Sequence, residues 1–197
     1  MGGGRQHFLT DDTYEPEYPE ETGRRGDKRE LTIAWSDKSD AHEVIYTGEA
    51  FAATNFDSDV RVLGLFEPSH MQYEFDRRDD PGTEPSLAQL TKAAITRLSR
   101  NENGYVLMVE GGRIDHAHHG VNAARALEDT DAFDQAVAAA LELTSVEDTL
   151  IIVTADHSHT MTMAGYPRRN YPILGKVVYE TGAVARGNDG MPYTTLG

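Results

Sequence analysis

Short, uninterrupted apolar runs alternate along this chain with longer stretches in which apolar residues recur every three or four positions. Val60 to Phe66 (VRVLGLF), Tyr105 to Val109 (YVLMV) and Thr149 to Thr154 (TLIIVT) are of the first kind, and each predicts a strand buried on both faces. Ser86 to Ser99 predicts an amphipathic helix with Leu87, Leu90, Ala94 and Leu98 on one stripe. From Asn122 to Leu143, the residues Leu127, Thr130, Phe133, Val137, Ala140 and Leu141 keep helical spacing and predict a long helix. Residues 41–54 also suit a helix, although Gly48 interrupts it, whereas residues 1–41 look irregular and solvated. Alternating helices and doubly buried strands imply an α/β sandwich around a mainly parallel sheet.

Charge narrows the partners. The 197 residues carry 18 basic and 33 acidic side chains, a formal charge of −15. Such a surface argues against a nucleic-acid or anionic-membrane partner, and an anionic substrate would need a bound metal to attract it. With no cysteine in the chain, disulfides, thiolate zinc sites and cysteine nucleophiles are all excluded. The longest purely aliphatic run is Leu150 to Val153, far short of a membrane span. The first residues, MGGGRQHFLTDD, lack a signal-peptide apolar core, and Gln6 stands where myristoylation requires Ser or Thr.

Candidate chemistry collects after two of the predicted strands. Tyr105–Val109 runs into Glu110, Gly111, Gly112, Arg113, Ile114, Asp115, His116, Ala117, His118 and His119; Thr149–Thr154 runs into Ala155, Asp156, His157, Ser158 and His159. Ligands in open α/β sheets bind beyond the carboxyl ends of strands, so neighbouring strands would set the two clusters side by side. Carboxylate and imidazole are zinc donors, and Asp115 and His119 lie one helical turn apart. Two clusters suggest two metals, the arrangement that clamps the attacking and leaving oxygens of a phosphoryl transfer. A single histidine is more often a satisfied structural residue, but paired Asp/His clusters outweigh that reading.

VEGGRIDHAHHG and VTADHSHT resemble the metal-site signatures of animal-type alkaline phosphatases, and MGGGRQHF, EPEYP, GLFEPSHMQYEFDR and LTSVEDTL resemble that family in the same order. The resemblance implies a three-layer sandwich binding two Zn2+ and one Mg2+. It makes Glu110 a magnesium ligand, Asp115 and His119 ligands of the first zinc, and Asp156 and His157 ligands of the second. His116 and His159 match positions that orient ligands, while His118 inherits no role and reads as structural. An additional Ca2+-like site is implied at Glu17, the Phe66 carbonyl, Glu67 and Glu84. Glu84 stands where the family usually has the shorter Asp, in a loop one residue longer.

The implied activity is hydrolysis of small phosphate monoesters through a phosphoserine, by a homodimer that is extracellular, periplasmic or anchored on the outer membrane surface. The family's nucleophile sits in an Asp-Ser-Ala context that these residues lack, and Asp57–Ser58–Asp59 falls in the wrong order to replace it. The chain is therefore expected to be an internal piece of one catalytic domain, incomplete at both ends, with exposed strand edges and no turnover alone. Within it, 1–85 would be a loop-rich calcium-site segment, 86–165 a βαβ metal-ligand core and 166–197 the start of a C-terminal portion. Two alternatives stand beside this reading: a metal-binding module without catalysis, and a related phosphodiesterase or sulfatase.

Overall fold

Parallel strands need a crossover between them, and residues 42–64 supply one. The structure is a computed structural model that describes residues 1–80, 83–163 and 165–196. Its elements run in chain order as a 3-10 turn (Arg5–His7), α1 (Leu31–Ser36), β1 (His42–Ile45), α2 (Gly48–Ala53), β2 (Arg61–Gly64), α3 (Glu74–Arg77), α4 (Leu87–Leu98), α5 (Arg113–His119) and α6 (Ala123–Leu143). β1 and β2 pair in parallel, with His42 opposite Arg61 and Ile45 opposite Gly64. The helix expected over 41–54 is thus a strand followed by a short helix. HEVI becomes a strand because distant β2 completes its ladder, and Thr47 caps α2 by accepting from the Ala50 amide at 3.2 Å. Above this unit, Trp35 of α1 donates to the carbonyls of Glu43 (3.2 Å) and Arg61 (3.1 Å), clipping both strands. Ile45, Phe66 and Leu90 form the core beneath.

Residues 1–41 are less irregular than expected, since they hold the 3-10 turn, α1 and a buried ion pair. Arg5 Nε meets Glu15 Oε2 at 2.6 Å with both side chains essentially fully buried. The helix over 86–99 forms as α4, with Ser86 and Gln89 in a reciprocal capping box. α6 matches the long helix within a residue, but the buried face is rotated from the expected stripe: Ala126, Ala132, Ala136 and Ala139 are buried, while Leu127 and Leu141 are exposed. Small residues let α4 and α5 lie close against α6.

Residues 105–109 and 149–154 belong to no ladder among the described residues. Val106 (95%) and Leu150 (84%) are almost fully exposed, and so are their alternate neighbours Met108 and Ile152. The two-stranded sheet is the part of the expected parallel sheet that these residues complete. Past Gly165, single antiparallel bridges at Lys176–Thr194, Val178–Val184 and Arg186–Pro192 fold residues 175–195 into a small meander around buried Val177.

Asp129 on α6 accepts a hydrogen bond from the Glu74 amide at 3.3 Å, and burial lifts its carboxyl to about 6. A folded-state value above the unfolded one means stability that is full near pH 4 and lost as the pH rises toward 6. Asp129→Asn keeps the acceptor and removes the buried charge. It is expected to raise the melting temperature at about pH 8 and leave it unchanged at about pH 4, as read by thermal circular dichroism.

A candidate metal centre joins two segments

α5 begins where the Gly111–Gly112 pair turns the chain out of the extended segment. A Cβ on Gly111 would come within 3.2 Å of Ile114 and 3.3 Å of Phe133 on α6, and one on Gly112 within 3.3 Å of Glu110 Oε1. Glycine there lets the start of α5 seat on α6 with Glu110 folded over it. Helical spacing then puts Asp115 and His119 on one face, their side chains 3.5 Å apart. His159, from the second segment, reaches across to place Nε2 2.7 Å from Asp115 Oδ1. His157 Nε2 lies 3.7 Å from the same oxygen and 3.6 Å from Asp156 Oδ2. The hydrogen bond from His159 is the main reason that the Asp115 carboxyl is held below its usual range.

His159 is the hub of an imidazole cluster. His118 stacks on it at 5.0 Å with the rings 8° from parallel, and His119 and His157 meet it at 4.9 and 5.1 Å. Donor atoms of Asp115, His119 and His159 all lie within 4.8 Å of one another. One carboxylate oxygen and two imidazole nitrogens form a set suited to zinc, whose tetrahedral ligands sit about 3.4 Å apart. The structure therefore groups His159 directly with Asp115 and His119, and sets His157 at their edge. It does not bring Asp156, whose side chain is 91% exposed, or Glu110 into that group.

His116 points the other way. Its Nδ1 is 2.9 Å from Arg113 Nη1, and its ring meets His70 edge-on at 4.4 Å. Burial, then the neighbouring His70 and Arg113, push its pKa down. Sequence reasoning assigned His70 nothing, although it lies within the GLFEPSHMQYEFDR segment.

A second group of possible donors sits at the carboxyl end of β2. Glu67 follows the strand and is buried, and oxygens of Glu17, Glu67 and Asp80 lie within 4.8 Å of one another. Arg5 Nη2 holds Glu17 Oε2 at 3.0 Å, while Glu17 Oε1 is buried with no hydrogen-bond partner among the described residues. An orphaned buried carboxylate oxygen among all-oxygen donors fits a hard cation such as Ca2+. Glu84 is also buried, and burial followed by its acidic neighbours pushes its carboxyl up to about 8. Asp80 was missed because it reads as one more acid in a charged loop (DRRDD).

A family model described as alkaline phosphatase matches residues 1–196. The chain belongs to the alkaline phosphatase family. It is 40% identical over 202 aligned positions to the tissue-nonspecific alkaline phosphatase of Gallus gallus, covering all of this chain and 38% of that one. It is 41% identical over 181 positions to a membrane-bound alkaline phosphatase of Bombyx mori, covering 90% of this chain and 32% of that one. Among solved structures, Thermus thermophilus alkaline phosphatase matches with a TM-score of 0.57 and 36% identity, over 70% of this chain and 25% of its own. A cold-active Shewanella alkaline phosphatase matches with a TM-score of 0.53 and 26% identity, over 72% and 29%. The α/β fold of the family is thus shared, and the chain spans about a third of the length of these curated relatives.

Asp115→Asn is expected to weaken Zn2+ binding by about tenfold or more, measured by competition with a chromogenic chelator. His118→Ala, which removes only a stacking partner, is expected to change it by less than about threefold.

Proposed function

We propose that these residues form part of the metal site of a phosphate-monoester hydrolase whose serine nucleophile lies outside them. The observation that carries the reading is the Asp115 carboxylate, met by His119 of its own helix and by His157 and His159 from a segment some 40 residues on. In this reading Asp115 and His119 hold one zinc, Asp156 and His157 a second, and Glu110 a magnesium. Bound there, such metals supply Lewis-acid charge to the phosphoryl oxygens and lower the pKa of the serine hydroxyl. The chain's own residues do the holding. The hydrogen bond that His159 donates to Asp115 fixes the imidazole cluster, and Arg113, 2.9 Å from His116, fixes that ring beside His70. Fixed donors cost little reorganisation when a metal binds, and bound metals would supply the positive charge by which residues of net charge −15 attract an anion.

In this reading the whole protein is a homodimer acting on small phosphate monoesters outside the cell or on its outer surface; the Bombyx mori relative is named membrane-bound. The 197 residues alone bind metal without turnover, since they contain no Asp-Ser-Ala nucleophile. p-Nitrophenyl phosphate is the test substrate. A longer protein joining these residues to such a serine segment is expected to hydrolyse it with Zn2+ and Mg2+, and Asp115→Asn to lower kcat by about a hundredfold or more. Faster hydrolysis of a diester or a sulfate ester would instead favour a phosphodiesterase or sulfatase. Turnover by the isolated 197 residues would overturn the assignment of the nucleophile to another segment.

A further inference from the structure

We propose that Tyr73 is a positioning residue: its ring seats the Arg113 guanidinium, and Arg113 in turn fixes which nitrogen of His116 carries the proton. The inference deepens the metal-site reading above and rests on it for the use to which His116 is put. Arg113 opens α5, one helical turn before His116, and its Nη1 lies 2.9 Å from His116 Nδ1. A guanidinium offers donors only, so Nδ1 must accept, and the proton of the neutral ring sits on Nε2. In that form the Nδ1 lone pair is taken and Nε2 has none to give. His116 is thereby held out of the ligand group that Asp115, His119 and His159 form.

Arg113 depends on the ring because no carboxylate grips it. Arg5, Arg77 and Arg125 each pair with an acid. Among the described residues Arg113 pairs with none, and its Nε is buried without a hydrogen-bond partner. Its Cζ lies instead 3.7 Å over the centre of the Tyr73 ring. A planar, weakly hydrated guanidinium suits such an aromatic face, which fixes its position without using its donors. Tyr73 is itself anchored to α6 by its neighbours. The next amide, of Glu74, donates to Asp129 at 3.3 Å, and Arg125 holds both oxygens of Asp76 at 2.7 and 2.9 Å. The Tyr73 carbonyl accepts from the amides of Asp76 and Arg77 at 2.9 and 2.8 Å. The ring that seats Arg113 therefore has a fixed place on the same helix that carries α5.

The test is long-range hydrogen–nitrogen NMR of the histidine rings in the full chain without metal, at about pH 8, where a free imidazole is neutral. The His116 signals are assigned by their loss in His116→Gln. The unaltered chain is expected to show an unprotonated Nδ1 and a protonated Nε2 at His116. Tyr73→Leu, which fills the space without a ring face, and Arg113→Met, which removes the donor, are expected to lose that pattern. Tyr73→Phe, which restores the ring, is expected to keep it, and unchanged helical circular dichroism shows that each variant is folded. A second reading needs no disruptive variant: ring current from Tyr73 is expected to move the Arg113 Nε–H proton upfield in the unaltered chain and in Tyr73→Phe. A protonated Nδ1 or an unmoved Arg113 proton in the unaltered chain, an intact pattern in folded Tyr73→Leu or Arg113→Met, or its loss in Tyr73→Phe would overturn the proposal. Because neither metal nor turnover is read, failure of the phosphatase reading registers separately, in the p-nitrophenyl phosphate assay.

Discussion

Arg5 is the residue on which the N-terminal half of the molecule depends. Its guanidinium is buried and fully engaged: Nε on Glu15, Nη2 on Glu17 and Nη1 on the Leu65 carbonyl at 3.0 Å. A buried ion pair contributes little net stability, but removing one partner leaves an uncompensated charge that costs several kcal/mol. The pair therefore fixes geometry. It ties a segment with little secondary structure to the end of β2, and it delivers Glu17 to the other carboxylates with one oxygen free.

The two candidate sites are built on opposite electrostatic principles. At Asp115 a carboxylate is surrounded by imidazoles, so the ionised form is favoured and the site holds together before any ion arrives. At Glu67 and Glu84 carboxylates are buried beside one another, and burial pushes both upward because the ionised forms repel and lack water. The first site is pre-organised and open, with His119 exposed. The second is largely buried, and its carboxylates outnumber the one guanidinium, Arg5, that pairs with them.

Helix α6 supports the first site mechanically. Its alanine face brings α5 close, and Phe133 fills the space beside Gly111, so the turn that starts α5 has one seating. Tyr73 stands between two guanidiniums, with Arg113 at 3.7 Å and Arg125 at 5.1 Å from its ring, and Arg125 pairs with Asp76 of α3 at 2.7 Å. This chain of contacts ties α3 to the arginine that holds His116.

What the sequence determined by itself was local and periodic. α4 and α6 were legible because spacing and caps act within a few residues, and the Asp115–His119 pair because one helical turn separates them. The motifs also announced the family. Tertiary structure decided whatever depends on partners distant in the chain. HEVI is a strand only because Arg61–Gly64 lies beside it, and YVLMV and TLIIVT, though strongly apolar, have no ladder among the described residues because a strand needs a neighbour as well as a pattern. The buried face of α6 was set by which helices pack on it, and His159 joined Asp115 across 44 residues. Burial also turned Asp80 from one acid of a charged loop into part of a converging group. Such changes come from which water is excluded, and that depends on how the whole chain packs.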